Sequence, residues 1–127
     1  QTIHPNGVPQ WLQALCLEMT KPDNFAAGRA VLSQLAGRSD EHLARSFRKY
    51  LGVTPTEYVN QLRLAYTARM LAHTDLPVNE IAQSAGFDNL SYFYRLFRDC
   101  YGMPPAQYRR QSHVTAIQGQ AVERPSA

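Results

Sequence analysis

Eleven of the thirteen basic side chains in this 127-residue chain are arginine. A guanidinium is planar, permanently charged, and carries its donors in a fork that fits phosphate or the O6/N7 edge of guanine. Four of the eleven form a pattern: Arg45 and Arg48 are three residues apart, as are Arg95 and Arg98, and the second pair follows the first at an offset of 50. On a helix, a spacing of three places both members of a pair on one face. That pattern suits recognition of a polyanion by two separate faces. Other chemistries find few residues. Cys16 and Cys100 match no zinc spacing and are expected to be reduced core thiols. His4, His42, His73 and His113 are scattered, and are expected at the surface, His42 on a helix face. No Ser/His/Asp set, carboxylate pair, metal-ligand cluster or phosphate-cradling Gly loop stands out, so an enzyme, a metal site and a cofactor are not expected.

The offset of 50 extends beyond the arginines. When residues 45–58 are laid over 95–108, Arg45, Phe47, Arg48, Gly52, Pro55 and Tyr58 meet Arg95, Phe97, Arg98, Gly102, Pro105 and Tyr108. Roughly one identity would arise by chance over such a stretch. Upstream, Ser39 meets Asn89, both good N-caps, and Val31-Leu32 meets Ile81-Ala82. The repeated unit is a short helix, a turn of small residues and a second helix with a buried Phe, which is the layout of a helix-turn-helix. A helical hairpin repeated only for packing would share its apolar stripe. It would not require the repeated outward arginines.

Composition supports helices. There are 13 Leu and 15 Ala against 7 Val and 3 Ile, a balance that disfavours a sandwich or barrel. At 14.3 kDa, folding hides about two-thirds of the unfolded chain's surface, so a core forms without metal or disulfide. A net charge of +3 is too mild to identify a partner alone. No apolar run approaches the roughly 18 residues of a membrane span, and no signal peptide pattern opens the chain, so a cytoplasmic protein is expected. The chain does not begin with Met, and a piece of a longer protein is expected.

The elements that must position the arginines follow from local signals. Residues 1–8 read as a linker, and 9–112 as the domain. A helix is expected over Pro9 to Met19 and a second over Phe25 to Ala36, ended by Gly37. Ser39 caps a third that runs to Leu51 and stops at Gly52. Thr54-Pro55-Thr56-Glu57 is a capping box with Pro at the first helical position. It opens a long connecting helix to about residue 73. A short helix follows over Val78 to Ala85. Another, capped by Asn89, runs to Tyr101, with Phe93, Leu96, Phe97 and Cys100 inside. A last helix covers Pro105 to Arg110, and 113–127 is expected to be a disordered tail. The fold class is therefore all-α, about seven helices. One helix-turn-helix lies at about 25–52, and a second, at about 78–102, is joined to it by the helix at 55–73. Eighteen residues of that connecting helix span about 27 Å. Successive major-groove entries on one face of B-DNA are about 34 Å apart, so two such units can serve adjacent major grooves.

The segment from Ile81-Ala82 through Gly86-Phe87, Ser91-Tyr92-Phe93-Tyr94-Arg95-Leu96-Phe97-Arg98, Gly102-Met103-Pro104-Pro105 and Tyr108-Arg109 resembles the signature of the AraC/XylS family of bacterial transcription regulators. Leu35-Ala36-Gly37, Leu43-Ala44-Arg45-Ser46-Phe47 and Gly52-Val53-Thr54-Pro55 are similar to that family's first reading unit. The resemblance covers about four-fifths of the chain and implies a C-terminal DNA-binding domain. By matching position it implies base contacts from Glu41, Ala44 and Arg45 in the first unit, and from Leu90, Ser91, Tyr92, Tyr94 and Arg95 in the second. It implies phosphate contacts from Arg38, Arg48, Lys49 and Arg98, and from amides at helix starts. Arg109 and Arg110 either contact phosphate or end a helix favourably. Glu41 either accepts from cytosine N4 or pairs with Arg45 one turn on, and Tyr92 stands between groove edge and core. Ala44 has no hydrogen-bonding group and suits a thymine methyl. Pro77 and Pro104 stand where Ser and Thr caps are usual, and Arg29 stands at a usually apolar position.

The function expected is sequence-specific binding of double-stranded DNA to regulate transcription, with RNA polymerase as a partner of an activator. A helical module that recruits RNA polymerase or another protein without reading DNA is the alternative. The resemblance also implies a separate N-terminal domain for a small-molecule effector. Val8-Pro9-Gln10-Trp11-Leu12 is similar to the junction in chitobiose-operon-type regulators, which implies a sugar.

Overall fold

The computed structural model describes residues 7–117, with side chains through Val114. Among the described residues there are eight helices and no strand. They are α1 Gln10–Met19, α2 Pro22–Ala27, α3 Arg29–Ala36, α4 Asp40–Leu51, α5 Pro55–His73, α6 Val78–Ser84, α7 Leu90–Tyr101 and α8 Pro105–Ile117. The chain divides into two compact units, Gln1–Leu62 and Arg63–Ala127.

The eighth helix arises because the run expected as one helix from Phe25 is two. Lys21-Pro22 starts α2, with Pro22 at a first-turn position. Gly28, at φ 86° and ψ −148°, then closes α2 and opens α3. Those dihedrals are essentially restricted to glycine, so the break is written into one residue inside an otherwise helical pattern. In the first unit, Leu12, Leu15 and Met19 of α1, Phe25 of α2, Leu32 and Ala36 of α3 and Leu43 and Phe47 of α4 are all buried. Leu35, although apolar, is 47% exposed.

The second unit buries Leu64, Ala68 and Leu71 of α5 with Ile81, Ala82, Phe93 and Phe97. Thr67, fully buried on α5, is satisfied because its Oγ1 donates to Leu64 O at 2.8 Å. Cys100 is exposed rather than a core thiol. The inward position four residues after Phe97 is Tyr101, whose ring lies 4.6 Å from that of Phe97. α8 does not stop at Arg110 but continues to Ile117, with Ser112 buried. Of the expected tail, 113–117 is therefore helical, and 118–127 lies outside the described residues. Gln1–Asn6 of the expected linker also lies outside them.

The helix starts follow their local chemistry. Ser39 Oγ accepts from the His42 N–H at 3.2 Å, and Asn89 Oδ1 accepts from the Tyr92 N–H at 3.0 Å. In the capping box of α5, Thr54 Oγ1 accepts from the Glu57 N–H at 3.0 Å, while Glu57 Oε1 accepts from the Thr54 N–H at 2.8 Å. α6 starts without a side-chain cap, and the Pro77 carbonyl accepts from Ile81 N–H at 3.1 Å.

The Thr54 hydrogen bonds hold the Glu57 carboxyl below its usual range. A depressed folded-state value means that this contribution is present above the ordinary Glu range and is lost as pH falls through the folded value. Thermal melts from pH 5 to pH 3 should therefore show a smaller loss of stability for Glu57→Gln than for wild type. Equal slopes would mean the charge on Glu57 is irrelevant to the α5 start. Gly28→Ala should lower the urea-unfolding free energy by about 1–3 kcal/mol, with the α2–α3 corner as the cause.

Candidate nucleic-acid interface

The two candidate reading helices, α4 and α7, are the same length and lie at an offset of 50. Each is turned by its buried stripe. Leu43 and Phe47 are fully buried on α4, and Phe93 and Phe97 on α7. The equivalent Phe of each stripe is met edge-on by a Tyr from the next helix: Phe47 by Tyr58 at 5.3 Å, and Phe97 by Tyr108 at 5.5 Å between centroids. Tyr58 also donates its hydroxyl to Cys16 O at 3.4 Å, and burial pushes its ionisation well above the usual range. Both helices end at a left-handed glycine, Gly52 or Gly102.

With the apolar side fixed, the opposite side is exposed. Glu41, Ala44, Arg45, Arg48 and Lys49 are exposed on α4, and Leu90, Ser91, Tyr94, Arg95 and Arg98 are exposed on α7. Each set therefore shares one solvent face. The two faces differ in charge. Glu41 Oε2 lies 4.0 Å from Arg45 Nη1, an exposed pair one turn apart. Such a pair contributes little to stability and is easily exchanged for another partner. Asp40 is drawn aside instead. Its Oδ1 lies 3.6 Å from Arg29 Nη2 and accepts from Ser33 Oγ at 3.3 Å, both on α3. Arg29 also donates Nη1 to Thr56 Oγ1 at 3.4 Å. The arginine at a usually apolar position thus links α3 to the helices on either side of Gly52.

On α7 no acid shares the first turn. Leu90 and Tyr94 are 40% and 42% exposed, which leaves an apolar and aromatic surface beside Arg95. Tyr92 is half-buried: its ring sits edge-on to Phe87 at 6.5 Å, and the Arg95 guanidinium lies 5.3 Å from its centroid. Tyr92 therefore meets both the core and Arg95.

The candidate phosphate residues fall into three groups. Arg48, Lys49, Arg98 and Arg110 are exposed. Arg38 is half-buried, with its guanidinium 3.7 Å from the centre of the Trp11 ring. Arg109 is half-buried and turned toward α5. Its Nε donates to Leu71 O at 3.1 Å, and its Nη2 is buried with no hydrogen-bond partner among the described residues. The negative end of the α5 dipole attracts that guanidinium. Arg63, which the sequence did not single out, lies half-buried with its guanidinium 5.6 Å from the Phe87 ring centre. Burial pushes its ionisation down, while Asp88 and Tyr92 act the other way. No spacing rule connects Arg63 to Phe87, 24 residues on.

Residues 32–111 match a family described as a helix-turn-helix domain. The chain is a member of the AraC-type helix-turn-helix family of transcription regulators. It is 32% identical over 105 residues to the transcriptional activator RhaR of Klebsiella pneumoniae, covering 83% of this chain and 36% of that protein. It is 33% identical over 83 residues to AdaA of Bacillus subtilis, a bifunctional transcriptional activator and DNA repair enzyme, covering 65% of this chain and 39% of AdaA. The C-terminal domain of the response regulator yesN from Fusobacterium nucleatum has the same fold, with a TM-score of 0.68 and 28% identity, covering 77% of this chain and 97% of that one. The chain thus spans little more than a third of these curated relatives. Among the described residues, no helix is long and apolar enough to cross a membrane.

In this AraC-type domain, Arg109 is bonded to the end of α5 through Leu71 O. Arg109→Met should lower the unfolding free energy by about 1.5–3 kcal/mol, the range for a hydrogen bond to a charged group. The salt dependence of DNA binding should stay unchanged. A flatter salt dependence in a folded Arg109→Met protein would return Arg109 to the phosphate set.

Proposed function

We propose that residues of about 9–112 form the DNA-reading domain of a bacterial transcription regulator, and that α4 and α7 each enter a major groove. One observation carries this reading. Two helices of equal length, capped at Ser39 and Asn89, expose arginines at the same positions of a 50-residue repeat. Packing alone demands the buried Phe of each repeat but not the exposed Arg45, Arg48, Arg95 and Arg98. The regulators to which the chain is similar support the same reading.

Base reading is assigned to Glu41, Ala44 and Arg45 on α4, and to Leu90, Ser91, Tyr92, Tyr94 and Arg95 on α7. Arg45 and Arg95 suit guanine, Glu41 suits cytosine N4, and Ala44, Leu90 and Tyr94 suit thymine methyls. When Arg45 turns to a base, Glu41 is released from its 4.0 Å pairing and becomes available as an acceptor. Arg38, Arg48, Lys49, Arg98 and Arg110 are assigned to phosphate, together with unpaired amides at the starts of α4 and α7. The domain itself is non-enzymatic in this reading and acts in the cytoplasm. RNA polymerase is the partner expected of an activator. A preceding domain that senses a small effector, a sugar in chitobiose-operon-type regulators, belongs to the same reading. The similarity of Val8-Pro9-Gln10-Trp11-Leu12 to that junction supports it.

Selection of bound duplexes from a random pool, followed by fluorescence anisotropy, tests the assignment. Arg45→Ala and Arg95→Ala should each lose about 1–3 kcal/mol on the selected site and relax base preference locally. Arg48→Ala should weaken selected and random duplexes alike and reduce the salt slope by about one. An Arg45→Ala protein that loses equally on selected and random DNA would contradict its reader role. Absence of an anisotropy change on any duplex at low salt would leave the protein-recruiting alternative.

A further inference from the structure

α1 lies before the residues that match the helix-turn-helix family, yet one of its side chains reaches the turn of the first unit. The core-facing stripe of α1 is Leu12, Leu15 and Met19. Trp11 stands beside that stripe and is only half-buried. Its ring carries the Arg38 guanidinium at 3.7 Å and lies 5.7 Å from the His42 ring. Arg38 occupies the turn between α3 and α4, and His42 lies in the first turn of α4. Trp11 thus touches both sides of the point where the first reading helix begins.

The guanidinium is held at two places. Its face lies on the indole, and its Nη1 donates to Ala36 O at 3.0 Å. Five N–H donors sit on an arginine, so this arrangement occupies one edge and leaves others open. An unrestrained surface arginine loses rotamer freedom when a ligand fixes it. Here a large part of that ordering exists before any ligand arrives, at the start of α4 where backbone amides already favour an anion. Tryptophan is the best aromatic face for such a cation.

The repeat provides an internal comparison. The position 50 residues after Arg38 is Asp88, and the position 50 after Trp11 is Gln61. Neither member of the stack is duplicated, so packing of the repeated fold does not demand it.

We infer that Trp11 is a positioning residue for DNA binding: it holds Arg38 ready for a phosphate at the start of α4. The inference rests on the DNA-binding reading above. It makes α1 a part of the DNA-binding machinery although α1 lies outside the helix-turn-helix. It also makes the first unit's backbone grip adjustable from α1, whereas the second unit has no such device at Asp88.

The test uses the whole chain and a labelled random-sequence duplex, with anisotropy measured from 50 to 200 mM KCl. A phosphate contact is sequence-independent and contributes about 0.9 to the slope of log K against log salt. Trp11→Leu keeps an apolar side chain without a π face, and Trp11→Phe keeps a ring. Trp11→Leu and Arg38→Met should each lower the slope by about 0.9, so that affinity falls about 3.5-fold less across this range. Trp11→Phe should retain the wild-type slope. The double variant should be no flatter than either single one, because both act through one contact. An unchanged slope in Trp11→Leu, or losses that add in the double variant, would overturn the inference.

Trp11 is the single tryptophan of the chain, which gives a readout that leaves α1 intact. Duplex should shift the wild-type emission and should not shift that of Arg38→Met. The same shift in both proteins would overturn the inference even if Trp11→Leu failed to fold. Failure of wild type to bind the duplex at 50 mM KCl is a different result, since it would remove the DNA-binding reading itself.

Discussion

The edge-on meeting of Phe47 with Tyr58, and of Phe97 with Tyr108, is the contact on which each unit turns. Each pair joins a reading helix to the helix that follows it, and each occupies the same place in the 50-residue repeat. An edge-to-face pair adds about 0.5–1.5 kcal/mol beyond the area it buries. Its larger effect is directional. A helix has one rotation that buries Phe47, and that rotation exposes Glu41, Ala44, Arg45 and Arg48. The same holds for Phe97 and the face of α7. The exposed chemistry is therefore set by the buried pair rather than by any attraction among the exposed residues.

Within that frame, the arginines are restrained in different ways. Arg45 has an acid one turn away, Arg95 lies near the Tyr92 ring, and Arg38 lies on Trp11. An exposed ion pair is loose and salt-sensitive, whereas a cation on an aromatic face keeps its hydrogen-bond edges free. The two units therefore suit different contributions. The α4 face couples an acid and a base one turn apart, while the α7 face offers Leu90, Tyr94 and an arginine beside the Tyr92 ring. The net charge of +3 is mild, so the positive character of the surface lies in a few placed arginines rather than in a broad positive field.

The reading helices were legible in the sequence because their limits are local. Ser39 and Asn89 start them, Gly52 and Gly102 stop them, and the spacing of buried Phe turns them. The capping box at Thr54 and Glu57 was legible for the same reason. Gly28 was harder, because apolar residues continue on both sides of the break and only its dihedrals reveal it. α8 outran its apolar pattern: Arg109 faces the α5 carbonyls and Ser112 is buried, so polar residues line its inner side. The Trp11–Arg38 stack and the Arg29–Asp40 pair join residues 27 and 11 positions apart. No periodicity encodes such contacts; tertiary packing does.

Amide NMR of the chain titrated with a selected duplex tests the central claim most directly. The account predicts that the strongest perturbations fall on two segments, 38–49 and 89–98, with those of α1 confined to the neighbourhood of Trp11. Perturbations restricted to one unit, or spread over the core-facing residues with both arginine faces silent, would contradict it.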